Sequence, residues 1–574
     1  GREADFDTRV GTNLMIAHGR ALDLFALHGN ALGNLLLGQC RAHAFLDDRL
    51  VLKDLIDDIP GRQLLVVFNL LGNGGFDLGE RYGRIDTVLL GDVLDHTRHG
   101  VDGFLARHAR VALQQAVGDK HAILAGNLAL LIHIADLHGA CTHDCIARHL
   151  LRGIRQCGKT SAVRNLSAEF KNFVEINFEK QPKLCALFEG DIDIKKIIMQ
   201  LELQFSQKIT AGETLLFIDE IQECPRAVTS LRYFYEEMPE LHVIAAGSLL
   251  EFVLHGNDRG VDFPVGRVRS IYMYPFSFTE YLRAVEGEMI ADYLGKFQAG
   301  HQENTAHDQL IEAYKTFLVV GGMPEAVLTY MTTGSLLECQ QVHRDIILNF
   351  MDDFNKYNKN VSTDIIRKVF EYSIHNVCSQ TKASSAISGV SAYYFDESVE
   401  LLYRAGLVYP VKASGCTVLP LGVTEKETNK KLIVFDTGVY LTECGLDVGE
   451  LLSAQLFDDI NKGDVVEMQT GLELIKYTSP YSEAALYYWY RGGASAEVDY
   501  VINLRNKIVP IEVKASGKGR MQSMYRFLDT IELASQGIRV SLENFSKYDK
   551  ILVYPVYAVS KFAKPANSID FSQS

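Results

Sequence analysis

The octapeptide Gly153-Ile-Arg-Gln-Cys-Gly158-Lys159-Thr160 restricts the fold of this chain more than any other feature. A G-x4-G-K-[ST] loop works only where a strand enters it and a helix leaves it, because its backbone N–H groups must converge on a phosphate. The flanks supply both: apolar Leu150-Leu151 reads as a strand end and Ser161 to Phe170 as a helix. Lys159 is expected to reach the β- and γ-phosphate oxygens and Thr160 to ligate Mg²⁺, with the helix dipole adding to the anion site. Gly153, Gly158, Lys159, Thr160 and Ser161 are therefore the nucleotide-binding candidates, for ATP with Mg²⁺. Read on its own, the pattern also fits a plain glycine turn before a helix.

Some sixty residues on, Thr214-Leu-Leu-Phe-Ile-Asp219-Glu220 is a fully apolar run ending in two carboxylates. A buried parallel strand places such residues at its C-terminal edge, beside the loop. Asp219 is the candidate to hold Mg²⁺ and Glu220 to polarise the attacking water. A third strand, Leu241 to Ala246, leads to Ser248, which reads either as a γ-phosphate sensor or as the cap of a helix over Leu249 to Leu254. Arg267, in Gly266-Arg-Val-Arg269, reads either as an arginine finger across a subunit interface or as an ordinary surface arginine.

Composition sets the outer limits. The chain has 574 residues, room for three or four domains. Its net charge of −15 argues against a general polyanion-binding coat while leaving room for one basic groove. The longest apolar stretch, Ala122 to Ala135, is broken by Asn127 and His133 and is too short to span a bilayer. Ten cysteines, several in hydrophobic runs (Cys185, Cys339, Cys378), predict reduced core thiols and a cytoplasmic location. The first 150 residues hold 11 of the 17 His but only one of 26 Tyr and one of 13 Pro. With no sustained period of 2 or 3.6, residues 1–147 are expected to be an atypical, non-native or poorly ordered leader, a small α/β domain being the alternative. Cys141, His143, Cys145 and His149 there have the look of a zinc site, but one Cys-x3-Cys in a His-rich segment carries little weight.

Beyond the core, apolar residues at helical spacing over 307–350 (Leu310, Ala313, Phe317, Leu336, Val342, Ile346) predict a helical lid. Residues 363–411 read as short helices followed by an extended segment with a turn at Gly415, a winged-helix pattern. Its recognition-helix candidate, Ala392 to Tyr403, carries Asp396, Glu397 and Glu400, which phosphates would repel, so a structural or protein-contact role is favoured over DNA binding.

The last chemically suggestive segment is a predicted hairpin: Glu497 to Ile502, a turn at Arg505-Asn506, then Ile508 to Lys514. Asp499, Glu512 and Lys514 match the D-x12-E-x-K spacing of PD-(D/E)XK nucleases, where two carboxylates bind a divalent ion and the lysine stabilises phosphorane charge. Glu467 and Glu473, on a predicted helix over Val465 to Ile475, are the candidates for a further ligand, as in relatives of that fold. An ordinary amphipathic strand has the same alternation.

The run Arg152-Gly-Ile-Arg-Gln-Cys-Gly-Lys-Thr, with Phe217-Ile-Asp-Glu-Ile-Gln, Ala246-Gly-Ser-Leu-Leu-Glu, Pro275-Phe-Ser-Phe and Gly321-Gly-Met-Pro-Glu, resembles the prokaryotic AAA+-like ATPases that carry a C-terminal domain of unknown function with a restriction-endonuclease-like core. The resemblance covers about residues 148–560. It implies an α/β P-loop NTPase core (148–300), a helical lid (301–355), a winged-helix-like segment (356–450) and a nuclease-like α/β domain (451–574). It also implies Mg²⁺-dependent ATP hydrolysis that moves the C-terminal module. An ATP-gated DNA nuclease and a slow nucleotide-dependent interaction switch remain the alternatives, with DNA, a protein partner or further copies of the chain as the open partner classes. Those relatives have a helix and a longer first strand before the loop, which the leader replaces here.

Overall fold

In the computed structural model, the described residues are 148–248, 264, 266–296, 305–354, 361–445, 462–491, 496–514 and 521–563. The leader, Cys141, His143, Cys145 and the helix expected over Leu249 to Leu254 lie outside them. His149 is described and is buried in the first strand.

Five strands form a parallel sheet: β1 (Arg148–Arg152), β2 (Asn172–Asn177), β3 (Thr214–Asp219), β4 (His242–Ala246) and β5 (Val268–Tyr272), in the order β2-β3-β4-β1-β5. Because side chains alternate along a strand, its apolar runs serve two cores at once. Leu150, Leu216, Ile218 and Ala245 pack with α2 (Ile194–Phe205) and α3 (Pro225–Glu237) on one face. Leu151, Phe217 and Ala246 enter the other, with Ala162, Val163 and Leu166 of α1 (Lys159–Leu166). The helix after the loop is shorter than expected and passes into a 3-10 turn at Ser167–Glu169.

Helices α4 (Phe278–Val285) and α5 (Glu288–Lys296) follow, and then three helices in the segment expected to form a lid: α6 (His307–Val320), α7 (Pro324–Thr333) and α8 (Leu336–Asp353). Ser277 and Glu280 close a reciprocal capping box on α4, and Pro324 sits where a proline is tolerated, at the first turn of α7.

Next come α9 (Thr363–His375), α10 (Ala392–Arg404), the antiparallel pair β6 (Val408–Ser414) and β7 (Glu425–Val434), and α11 (Thr437–Glu443). Two helices and a hairpin are the parts expected of a winged helix, but β6 also pairs in parallel with β8 (Leu486–Arg491). The hairpin is thus the edge of an eight-stranded mixed sheet. That sheet also holds β9 (Ala496–Leu504), β10 (Lys507–Lys514), β11 (Gly537–Ser541), β12 (Ser546–Tyr548) and β13 (Ile551–Pro555), in the order β12-β13-β11-β10-β9-β8-β6-β7. Helices α12 (Lys462–Lys476) and α13 (Gln522–Thr530) flank it, and α14 (Ser560–Ala563) ends the described chain.

One buried apolar cluster runs from Leu151 of the first sheet through the lid to Val559. Two of the quoted sequence motifs lie at this junction. Phe276 donates its N–H to the Gly322 carbonyl at 2.7 Å, and Gly322 donates to Asp436 Oδ2 at 2.6 Å. A Cβ on Gly322 would lie 2.4 Å from the Phe276 carbonyl oxygen, so only glycine lets these backbones approach.

Cys185 and Cys224 form a disulfide with Cα atoms 5.6 Å apart, which corrects the expectation of reduced thiols and removes that support for a cytoplasmic location. Spacing along the chain gave no warning, because the two meet only when α3 starts beside the turn after β2. Cys339 and Cys378 are free and buried, as expected. Among the described residues no helix is long and apolar enough to cross a membrane.

Candidate functional site

The loop leaves β1 through Gly153, whose φ of +147° and whose missing Cβ are both required: a Cβ there would lie 2.1 Å from the Met273 carbonyl oxygen. It re-enters α1 through Gly158 in the left-handed region, φ +96°. Just past Gly158, Lys159 folds back over the loop, its Nζ donating to the carbonyls of Gly153 (2.9 Å) and Ile154 (2.8 Å). This buried ammonium, held by two neutral carbonyls and the Cys157 sulfur at 4.0 Å, is poised for an anion in the cradle.

Insertion of β4 between β1 and β3 spaces the loop from the acidic strand end, and α1 bridges the gap. Thr160 Oγ1 donates to Asp219 Oδ2 at 3.0 Å, and Asn177 Nδ2 from the end of β2 donates to the same oxygen at 3.1 Å. Asp219 is buried, and burial together with the neighbouring Glu220 charge raises its carboxyl above the usual range. A hydroxyl and a buried carboxylate short of positive charge are a donor set that fits Mg²⁺. Glu220 adopts φ +50°, and Gln222 Nε2 holds its Oε2 at 2.6 Å.

Ser248 lies just past the end of β4, whose neighbour Gly247 donates to the Leu151 carbonyl at 3.4 Å, so it stands at the loop edge of the sheet between β1 and β3. Ser161 is exposed on the first turn of α1. Arg267 is not brought to this edge. It precedes β5, which runs parallel to β1, so it sits at the opposite end of the sheet, roughly 15 Å away at strand rise. There it pairs with Glu236 at 3.5 Å and lies over the Tyr235 ring.

Sequence reading missed the wall of this site. Arg155, at the loop tip, pairs with Asp353 at the end of α8 at 2.8 Å. Burial would lower its guanidinium, but Asp353, Glu220 and Glu179 outweigh that and raise it. A Cβ on Gly158 would touch Pro324 of α7, and one on Gly406 would touch Ile154, so the lid and the turn before β6 both abut the loop.

The C-terminal hairpin is as predicted in outline. Arg505 (φ +51°) and Asn506 (φ +62°) form a two-residue turn of the type that matches strand twist, and Leu504 faces Lys507 across it. Asp499 and Glu512 lie just beyond the last registered pair, Tyr500 opposite Ile511. Asp499 Oδ2 accepts the Val513 N–H at 2.8 Å, and Lys514 Nζ meets Glu512 Oε1 at 2.7 Å. Burial first, then Asp499, pushes the Glu512 carboxyl up against the pull of Lys514.

Glu467 joins this group and Glu473 does not. Six residues on a helix turn the second side chain about 120° from the first. Glu473 therefore reaches α4 instead, its Oε1 accepting from Phe278 N (3.0 Å) and Gln469 Nε2 (2.8 Å). Burial raises it to about 7.

Lys431 of β7 was not anticipated. Its side chain is 2% exposed, and its Nζ lies 2.8 Å from Glu467 Oε1, in contact with Glu497, and 3.8 Å from Asp499 Oδ1. Burial would lower this ammonium, but Glu467, Asp499 and Glu497 together raise it well above the ordinary lysine value. The available signal was a lysine sharing a strand face with buried Ile433. Among the described residues no group of three or more His, Cys, Asp or Glu is arranged to hold a metal ion.

The geometry of the first site defines a P-loop nucleotide-binding core. Residues 148–282 match the AAA domain family. Residues 311–448 match one domain of unknown function (DUF8612) and residues 462–559 another (DUF4143). Among solved structures, a Walker-type ATPase of Pyrococcus abyssi (paby2304) is 14% identical over 55% of this chain and 95% of its own, with a TM-score of 0.35. PCH-2 of C. elegans is 12% identical over 40% of this chain and 70% of its own, with a TM-score of 0.23. No curated protein matches the chain.

Proposed function

We propose that the chain binds Mg·ATP at the loop of residues 153–160 and hydrolyses it, and that the lid and the segment after β5 pass the nucleotide state to the C-terminal region. The observation that carries this reading is the 3.0 Å bond between Thr160 Oγ1 and Asp219 Oδ2, which brings the loop helix and the acidic strand end into one donor set. Thr160 and Asp219 would hold Mg²⁺, which when bound neutralises phosphate charge. Lys159 exchanges its two carbonyl partners for phosphate oxygens, and the amides from Gly158 onward receive the remaining charge. Glu220, steered by Gln222, orients a water and takes its proton. Ser248, at the same edge of the sheet, would contact the terminal phosphate. Arg267, at the opposite end of the sheet, would act on a neighbouring copy of the chain.

Transmission rests on contacts from the loop to distant elements. Arg155 to Asp353 ties it to α8, and Met273, packed on Gly153, begins the stretch whose Phe276 and Phe278 hold Gly322 and Glu473. Asp396 and Glu400 of α10 are already paired with Lys430 and Arg404, which favours a joining role for that helix over DNA contact.

Phosphate release from ATP by the full chain tests this reading. Turnover abolished by Lys159→Ala and slowed at least a hundredfold by Glu220→Gln, with ATP still bound by the latter, is the expected result. Tight Mg·ATP binding without turnover would leave the slow interaction switch in its place.

A further inference from the structure

Glu467 and Asp499, two of the carboxylates expected to ligate a divalent ion, are instead gathered with Glu497 around an atom of the chain itself. Lys431 Nζ has three carboxylate neighbours, and its stem is enclosed, with the Tyr488 ring 5.2 Å away. Its side chain is 2% exposed, so moving it out requires opening the packing around it. The second lysine, Lys514, takes one oxygen of Glu512. Glu512 Oε2 has no hydrogen-bond partner among the described residues.

We propose that Lys431 serves as the resident cation of this site, excluding divalent metal, so that residues 462–563 form a metal-independent structural module and not a nuclease. An ammonium and a divalent ion a few ångströms apart repel strongly in a buried place, and a metal would have to strip carboxylate oxygens from a protonated lysine that has no solvent to move into. The site keeps the acidic pattern because Lys431 needs it: without those carboxylates its charge would be buried unpaired. The inference is independent of ATP turnover at the loop.

Mn²⁺ binding to the full chain, without nucleotide, decides the matter by paramagnetic resonance of the free ion. The wild-type protein and Asp499→Asn are expected to bind Mn²⁺ identically. Lys431→Gln is expected to gain one equivalent, lost again in Lys431→Gln/Asp499→Asn. Should Lys431→Gln be too unstable at rest, the same outcome reads as rescue: Mn²⁺ raises its unfolding midpoint and leaves that of the wild type unchanged. Wild-type binding that Asp499→Asn removes would overturn the proposal. So would a Lys431→Gln protein that neither gains the ion nor is stabilised by it.

Discussion

Arg155, at the tip of the phosphate loop, and Asp353, the last residue of α8, form an ion pair at 2.8 Å across 198 positions of sequence. Asp353 is nearly buried while Arg155 is about one-third exposed, so the pair is neither a surface decoration nor a sealed core contact. Removing the carboxylate leaves the looser Glu179, 3.9 Å away, as the ion-pair partner of the Arg155 guanidinium among the described residues. Asp353→Asn is expected to weaken Mg·ATP binding several-fold, in line with a contact of about 1 kcal/mol. Hydrogen exchange in α8 should then stop responding to ATP. If α8 in the variant responds as in the wild type, the pair does not transmit.

Two glycines of positive φ separate space from conformation. Gly153 would push a Cβ into the Met273 carbonyl, whereas Gly212, at φ +79°, has nothing within 4 Å. Gly212→Ala should cost about 1 kcal/mol from backbone conformation alone. Gly153→Ala should cost roughly 2 to 4 kcal/mol and abolish ATP binding, since the loop must move to relieve the clash. Denaturant midpoints and nucleotide titration measure both, and equal losses would mean the close approach at Met273 is unimportant.

Glu473 gives the fold a pH dependence of its own. Its carboxyl rises from 4.5 to about 7 on folding, chiefly by burial. The folded chain thus binds this proton more tightly than the unfolded chain, so its contribution is most favourable below pH 4.5 and declines as pH rises to about 7. Glu473→Gln keeps an oxygen for Phe278 N and removes the charge. Its stability relative to wild type should rise across that window, by up to roughly 3 kcal/mol at pH 8. Parallel pH curves for the two proteins would refute the assignment.

The disulfide between Cys185 and Cys224 spans 39 positions and ends four residues after Glu220. Closing a loop of that size is worth up to about 4 kcal/mol through the unfolded chain. Reductant should therefore lower the unfolding midpoint of the wild type and leave that of Cys185→Ser/Cys224→Ser unaltered. A wild-type midpoint insensitive to reductant would show that the pair is not formed.

Much of the architecture is legible in local pattern. The strand ending in Asp219, the strand preceding Gly153, the lid helices and the hairpin turning at Arg505-Asn506 all announce themselves, because alternation, helical spacing and turn chemistry act over a few residues. So does the pairing of roles within the loop, since Gly158, Lys159 and Thr160 are neighbours along the chain. What alternation reports is which face a side chain takes, not what lies across from it. Glu467 and Glu473 look equivalent as acids on one helix, yet a rotation of about 120° sends one to Lys431 and the other to α4.

The sequence by itself determined the phosphate loop, the acidic strand end and the order of α/β elements around them, each being a short-range consequence of residue type. Only the tertiary structure decided that Arg267 stands at the far end of the sheet, that Asp353 reaches the loop, and that a lysine lies among the C-terminal carboxylates. Those outcomes depend on strand order and on contacts between segments tens to hundreds of residues apart. Burial then gives each such contact its energy, since a charge removed from water must find its opposite wherever the chain happens to bring one.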